Sequence, residues 1–298
     1  MLQKTVHLLA LSCAVLSLSA CKPEQIQAAL EHGGGVARSF NQSVSPQEEQ
    51  RMGDESAALL LGAAPLVKHD GVQRYVNQVG QWLAQQTERS DIQWRFGVLD
   101  TPNINAFAAP AGYVFITRGL FVRLQDESEL AGVIAHEISH VLMGHYVQTM
   151  LKKDRAAALG NLASGLAQSQ GKGQYTALVN LGRGVYSSGL DKDDEYQADR
   201  MGVVIAARAG YDPFGLARVL QMYASNAGQA GFDLLFSTHP AAGERLERLA
   251  SSMSDKFDAL ESQSLRNTPA FSRQQAALQG NAGAGNNGSA RKGAKARR

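Results

Sequence analysis

Two histidines and a glutamate stand close together in the segment His136-Glu137-Ile138-Ser139-His140. Residues four apart lie on one face of an α-helix, so the imidazoles of His136 and His140 can bind one metal ion, for which zinc is the usual choice. Glu137 is rotated by about 100° from His136 on such a helix. It therefore lies beside the metal, where a general base must be to take a proton from metal-bound water. The segment predicts metal-assisted hydrolysis.

A catalytic zinc site also needs a third protein ligand and one open position. His145 follows His136 by nine residues and falls on the far side of a continuous helix, which indicates a structural or supporting role rather than that of a ligand. Glu195 is the better candidate, because it shares a helix face with Asp199, four residues further on. One carboxylate can bind the metal while the other accepts the second ring N–H of a ligating histidine. The alternative is that both belong to a solvated, acidic helix start.

The elements that must position these residues follow from the hydrophobic pattern and are mostly helical. Asp126 and Glu129 have the spacing of a capping box at the start of the motif helix. Ser45, followed by Pro46, has the features of a helix N-cap. The pattern predicts helices that begin at Ser45, cover 70–87 and dominate from 126 to about 260, a strand with one buried face at 92–98, and a continuously apolar strand at 113–117.

Further motifs resemble one family far more specifically than the histidine motif alone. The chain resembles the zinc metallopeptidase family forty-eight, which contains the CAAX prenyl protease and the heat-shock protease HtpX, over roughly 45–250. This resemblance implies an α+β, mostly helical, gluzincin-type metallopeptidase domain with a small antiparallel sheet beside the HExxH helix. The matching segments are His136–His140, Glu195-Tyr196-Gln197-Ala198-Asp199, Asn105-Ala106-Phe107-Ala108, Gly119-Leu120, Ser237-Thr238-His239-Pro240 and Arg245.

Carried over residue by residue, the resemblance implies a specific role for each motif residue. One Zn²⁺ per chain would bind to His136, His140 and Glu195. Glu137 would act as general base and then as general acid. Asp199 would orient a ligand.

The resemblance also implies roles for residues around the metal. His239 matches a histidine that lies near the metal, where it would stabilise the oxyanion or occupy the open zinc position in a latent state. The alternative is a helix-start residue before Pro240, with Arg245 supporting the site by pairing with an acid. Residues Asn105, Ala106, Phe107 and Ala108 would form an edge strand beside the cleft that binds an extended substrate peptide through its main chain, or else a plain turn.

The N-terminus has the pattern of a lipoprotein signal peptide over residues 1–20. Lys4 supplies a basic start, an apolar stretch follows, and small residues precede Cys21. We expect lipid on the Cys21 thiol to anchor the chain firmly in a membrane, and an ordinary signal peptide or an uncleaved anchor is the alternative. Lys22 then indicates the outer membrane under the sorting rule of enteric bacteria. These features resemble the periplasm-facing, outer-membrane lipoprotein branch of the family.

The rest of the chain divides into one domain between two tails. Residues 21–44 predict a tether, 45–261 the metallopeptidase domain, and 262–298 a disordered basic tail. Residues 155–190 are rich in Ala, Gly and Ser and form either a mobile lid or a poorly packed helical hairpin. A net charge of +2 argues against nucleic acid as a partner, and two cysteines cannot staple 298 residues.

Two functions fit these features. The first is a membrane-anchored zinc metalloendopeptidase that hydrolyses peptide bonds of misfolded or unassembled envelope proteins as quality control, with the outer-membrane assembly machinery as a candidate partner. The second is a periplasmic, chaperone-like binding module for outer-membrane protein assembly with little or no proteolysis. The presence of Glu137 with all three candidate ligands favours the first.

Overall fold

The computed structural model describes residues 44–152, 190–229, 231–253, 257, 260 and 264–284. The predicted signal peptide, residues 21–43 of the tether with Cys21, the segment 155–189 and residues 285–298 lie outside this part of the chain. Within the described residues, no helix is both long enough and apolar enough to cross a membrane.

The described chain is mostly helical with one small sheet, as the sequence predicted. Ser45 caps the first helix, because its hydroxyl accepts a hydrogen bond from the Glu48 amide at 3.2 Å. The helix predicted over 70–87 is confirmed but ends at Ala84. In chain order the elements are α1 (Pro46–Ala63), α2 (Asp70–Ala84), β1 (Arg95–Leu99), β2 (Ala106–Ala109), a 3₁₀ turn (Pro110–Gly112), β3 (Tyr113–Thr117), α3 (Arg118–Phe121), α4 (Glu127–Leu142), α5 (Lys192–Arg208), α6 (Gly215–Ser225), α7 (Asp233–Thr238), α8 (Ala242–Met253) and α9 (Pro269–Ala284).

The sheet has the strand order β1-β3-β2 and is mixed. Strands β2 and β3 are antiparallel, since the turn at Pro110–Gly112 reverses the chain between them. Strands β1 and β3 are parallel, with Arg95 opposite Tyr113, because the chain reverses twice between them. The expectation of an antiparallel sheet is therefore wrong for the β1–β3 pair.

Strand β1 is buried on both faces, whereas the alternation at 92–98 predicted one buried face. Phe96, Val98 and Leu99 are all buried. Helix α2 packs on this strand, and the absence of a side chain at Gly80 leaves room there for the Phe96 ring. The segment before α2 also pairs with the outer edge of β1, since the Val67 amide donates a hydrogen bond to the Val98 carbonyl at 2.8 Å. The sheet is thus an interior element.

The motif helix α4 is buried along almost its whole length, from Glu127 to Val141. Two glycines let neighbouring helices approach its backbone. A Cβ atom on Gly202 of α5 would lie 3.0 Å from the backbone nitrogen of His136, and one on Gly132 would lie 2.7 Å from that of Leu216 in α6. This close packing fixes the position of α5 against the metal-facing side of α4.

The C-terminal region departs from the sequence-based expectation. The disordered tail predicted over 262–298 is wrong for residues 264–284, where α9 packs against the domain. The Phe271 ring is fully buried, with its centroid 5.6 Å from that of Phe121. The Gln275 amide donates to the Leu124 carbonyl at 2.6 Å. The ordered domain therefore extends past the predicted boundary at 261.

The segment before α9 holds the N-terminus of the motif helix. The Arg266 guanidinium donates to the Asp126 carboxylate at 3.0 Å, and the Arg266 carbonyl accepts from the Ser128 amide at 2.9 Å. The Thr268 hydroxyl contacts the Glu127 carboxylate. The first turn of α4 is thus tied to a region about 140 residues further along the chain.

Removal of the Phe271 ring tests this C-terminal packing. We expect Phe271→Ala to lower the free energy of unfolding by about 3–5 kcal/mol, because it leaves a cavity in a closed core. Ser272→Ala, at the next and exposed position of the same helix, is the matched control and should change stability by less than about 0.5 kcal/mol. Chemical denaturation of the two purified variants measures both values. Near-zero and equal changes would contradict the packing of α9.

Candidate metal centre

Helix α4 presents the two motif histidines to one point. Asp126 caps the helix by accepting from the Glu129 amide at 3.0 Å. One turn separates His136 from His140, and their Nε2 atoms lie 3.0 Å apart. Both rings are buried. The predicted geometry of two imidazoles on one helical face is therefore present.

Helix α5 brings a carboxylate to the same point. A capping box between Asp191 and Asp194 starts this helix. Glu195 is fully buried, and its two oxygens lie 3.6 Å from Nε2 of His136 and 3.6 Å from Nε2 of His140. The solvated helix start considered as an alternative does not apply to Glu195, which faces the histidines.

His239 completes the group from the end of α7. Its Nδ1 lies 3.0 Å from Oε1 of Glu195, and its Nε2 lies 3.5 Å from Oε1 of Glu137. Candidate ligand atoms of four buried residues all lie within 4.8 Å of one another, and these residues are His136, His140, Glu195 and His239.

The chemistry of these side chains fits a metal ion. Imidazole nitrogens and a carboxylate oxygen are the ligands that zinc and similar divalent ions take in proteins. Oε2 of Glu137 is buried and has no hydrogen-bond partner among the residues that the structure describes. Such a polar atom is costly to bury unless a ligand or water meets it. These side chains therefore fit a metal ion, and Oε2 of Glu137 remains available to a polar group beside it.

A charged second layer lies beneath the cluster. The Arg245 guanidinium contacts Glu195 at 2.6 Å and Asp199 at 2.6 Å. Asp199 in turn lies 3.0 Å from Nδ1 of His136. All of these side chains are buried. Arg245 thus neutralises one of two adjacent buried carboxylates and fixes the orientation of both.

The protonation states follow from burial and from Arg245. Burial, the largest single effect, opposes ionisation of Glu195 and of Asp199. The Arg245 charge together with the neighbouring histidines, His239 at Glu195 and His136 at both, outweighs burial and lowers the pKa of both carboxyls below their usual values. Burial lowers the pKa of His140, with further lowering by the neighbouring imidazoles, so its neutral form is favoured. Burial raises the pKa of Glu137. Ionised Glu195 and neutral His140 are the forms that bind metals.

The segment 105–108 forms part of the site wall. Ala106 to Ala108 belong to β2, at one edge of the described sheet, so the plain turn considered as an alternative is wrong. Ala106 lines a small cavity that also reaches His136, Glu137 and His239. The Asn105 side-chain oxygen accepts from the Thr238 hydroxyl at 3.2 Å. β2 therefore borders the cluster, and Asn105, the residue directly before β2, holds the residue that precedes His239.

Sequence reasoning missed two residues of this site. Thr238, which precedes His239, bonds to Asn105 just before β2. Its only signal in the sequence was its place within the Ser237-Thr238-His239-Pro240 segment. Tyr223 of α6 is buried and lines the cavity beside Glu137. Its position at helical spacing with Val219 and Leu220 gave no sign beyond that of an ordinary core residue.

An HExxH helix with a carboxylate from a second helix and a buried arginine–aspartate pair defines a metallopeptidase site. The model for peptidase family M48 matches residues 71–253, and the chain belongs to this family.

Three relatives show where the similarity lies. The chain is 30% identical over 220 residues to the beta-barrel assembly-enhancing protease of Escherichia coli (strain K12), covering 71% of this chain and 45% of that protein. It is 27% identical over 216 residues to the mitochondrial metalloendopeptidase OMA1 of Schizosaccharomyces pombe, covering 71% and 63%. It is 30% identical over 159 residues to the metalloprotease LoiP of Escherichia coli (strain K12), covering 51% and 60%. The chain spans less than two thirds of the length of each.

Removal of the Arg245 charge tests the second layer. We expect metal-free Arg245→Met to lose about 3–5 kcal/mol of unfolding free energy at pH 7, the usual cost of breaking a buried ion pair. The loss should shrink toward pH 5. In the wild type, Glu195 and Asp199 have lowered pKa values, so their stabilising effect persists at any pH above about 4. In Arg245→Met the same buried carboxyls lack the guanidinium, and they favour the folded state only when they are protonated, which happens more readily at pH 5 than at pH 7.

Denaturation in the presence of chelator at pH 7 and pH 5 measures both effects. Arg248→Met is the matched control, since Arg248 lies on the same helix, is exposed and stacks 4.0 Å from the Tyr196 ring. It should cost no more than about 1 kcal/mol at either pH. A loss in Arg245→Met that does not depend on pH would count against the ion-pair account.

Proposed function

We propose that this chain is a zinc metalloendopeptidase in which His136, His140 and Glu195 hold the metal. The convergence of their ligand atoms within one buried cluster is the observation that carries the proposal. A zinc ion bound there would supply a Lewis acid that polarises the scissile carbonyl and makes water more acidic. The three ligands come from two helices whose backbones are in close contact, so the donor atoms are arranged before the ion arrives.

Glu137 is the proposed proton carrier. Its carboxylate lies beside the cluster, 3.5 Å from His239, and burial raises its pKa, which suits a group that must accept a proton and release it again. It takes a proton from the attacking water and returns it to the leaving amine. Its Oε2 atom is buried without a hydrogen-bond partner among the described residues, and so can accept that proton.

His239 has two proposed roles, and both rest on its contacts. Nε2 lies 3.5 Å from Glu137, so the ring can donate to an oxyanion that develops beside this base. A ligand atom of the ring lies within 4.8 Å of those of His136, His140 and Glu195, so the ring can also occupy the open metal position in a latent state. Asp199 and Arg245 are proposed to position His136 and Glu195.

The substrate proposal extends beyond the metal cluster. We infer that residues 105–108 bind the main chain of an extended peptide, because Ala106 lines the same cavity as Glu137 and His239. One relative's name links a protease to the assembly of beta-barrels, which supports misfolded or unassembled envelope proteins as substrates and the assembly machinery as a partner. Lipidation at Cys21 and a periplasm-facing place at the outer membrane complete the proposal and rest on the signal-peptide pattern.

Metal analysis and digestion test the enzyme proposal together. We expect about one zinc per purified chain, cleavage of unfolded casein, and loss of cleavage when a chelator removes the metal. Glu137→Gln should keep the zinc and lower kcat by about 10²–10⁴-fold, because only the proton carrier is lost. Glu247→Gln, an exposed change of the same type on α8, should leave both unchanged.

The chaperone-like alternative predicts the opposite pattern for the same variant. If Glu137→Gln restores envelope integrity in a deletion strain as well as wild type does, and wild type cleaves no unfolded protein, then proteolysis is not the function. If the variant fails in the cell while binding zinc normally, the alternative is excluded.

A further inference from the structure

The two motif histidines have different partners behind the metal site. Both Nε2 atoms point to the cluster, so the Nδ1 atoms point away from it. Nδ1 of His136 lies 3.0 Å from the Asp199 carboxylate. Nδ1 of His140 instead lies 2.9 Å from Nδ1 of a third imidazole, that of His145. The usual carboxylate or carbonyl partner of a ligating histidine is replaced here by another ring.

A local break in the chain brings His145 to this position. Helix α4 ends at Leu142, and Gly144 adopts a φ of 66° in the turn that follows. Glycine is the residue that enters this left-handed region without strain. The chain therefore turns back, and the ring of His145 is buried against His140. The far-side position expected for a continuous helix is wrong for this reason.

The hydrogen positions in this contact follow from the chemistry of metal binding. A neutral imidazole carries one hydrogen, and a ligating His140 must offer the lone pair of Nε2 to the metal. Its hydrogen is then on Nδ1, which donates to His145. The acceptor, Nδ1 of His145, must carry a lone pair, so the hydrogen of that ring is on Nε2.

Asp194 lies near the ring nitrogen that carries this last hydrogen. Nε2 of His145 is 3.7 Å from Oδ1 of Asp194. Asp194 is held in place by the capping box of α5, since its amide donates to Asp191 at 2.9 Å. It directly precedes Glu195 in the chain. The line from His140 through His145 to Asp194 therefore connects the two helices that supply the metal ligands.

We propose that His145, oriented by Asp194, is a positioning residue that fixes the tautomer and ring orientation of His140 for metal binding. This inference rests on the proposed zinc site and adds a function for a residue that does not itself bind the metal. His145 gives the Nδ1 atom of His140 a polar partner at 2.9 Å, as Asp199 gives the Nδ1 atom of His136 one at 3.0 Å.

Zinc affinity of side-chain variants tests this role, measured by competition with a chromophoric chelator. His145→Leu removes the acceptor and should weaken zinc binding by about 10–100-fold. In His145→Asn the amide oxygen can take the place of Nδ1, so affinity should stay within about threefold of wild type. In His145→Gln the longer side chain carries its amide to the place of Nε2 instead, and affinity should fall as in His145→Leu.

The contrast between Asn and Gln separates positioning from general packing, because both are polar amides. Equal affinities in these two variants, whether strong or weak, would overturn the role of His145. His69→Leu, at the N-cap of α2, is the control and should leave zinc affinity unchanged. If the wild-type chain itself binds no zinc, the proposed function fails. If it binds zinc but Asn and Gln behave alike, only the inference about His145 fails.

Discussion

The burial of Glu195 and Asp199 side by side is the interaction on which the rest of this structure depends. Two adjacent carboxylates without water would lose their charge or unfold the domain, were it not for the guanidinium of Arg245 at 2.6 Å from each. This arginine comes from α8, a helix that supplies no candidate ligand. It nevertheless stabilises the ionised form of Glu195, which is a candidate ligand. The remaining negative charge faces the imidazoles of α4, where a bound cation would restore neutrality.

Packing carries this electrostatic arrangement to the metal-facing atoms. Gly202 lets α5 approach the backbone of α4 closely at His136, and Glu195 of α5 lies 3.6 Å from both motif histidines. The start of α4 is in turn fixed by Arg266, from the segment before α9. A site of this kind tolerates little movement, because its ligands are held from several sides by buried groups.

The local sequence pattern was sufficient where the helical spacing of side chains or a single N-cap residue decides the structure. It predicted α4, the N-cap at Ser45 and the shared face of His136 and His140, because helical spacing fixes which side chains lie together. That Glu195 meets these histidines was implied by the family resemblance, since spacing within one helix does not show which helices pack together. The local pattern failed where tertiary contacts decide. Helix α9 buries few large side chains, chiefly Phe271, so it gave little periodic signal. The contact of His145 with His140 depends on a turn at Gly144 that ends the helix. The sequence-based prediction assumed a helix that continues through this turn.

X-ray absorption spectroscopy of the zinc-loaded chain tests the central claim most directly, that two helices hold one ion through imidazole and carboxylate groups. We expect only nitrogen and oxygen neighbours at about 2.0–2.2 Å, with the outer-shell pattern of at least two imidazoles. Glu195→Gln should lower zinc occupancy while leaving the imidazole pattern in whatever zinc remains. Sulfur neighbours at about 2.3 Å, or fewer than two imidazoles, would show that zinc binds elsewhere and would contradict this account.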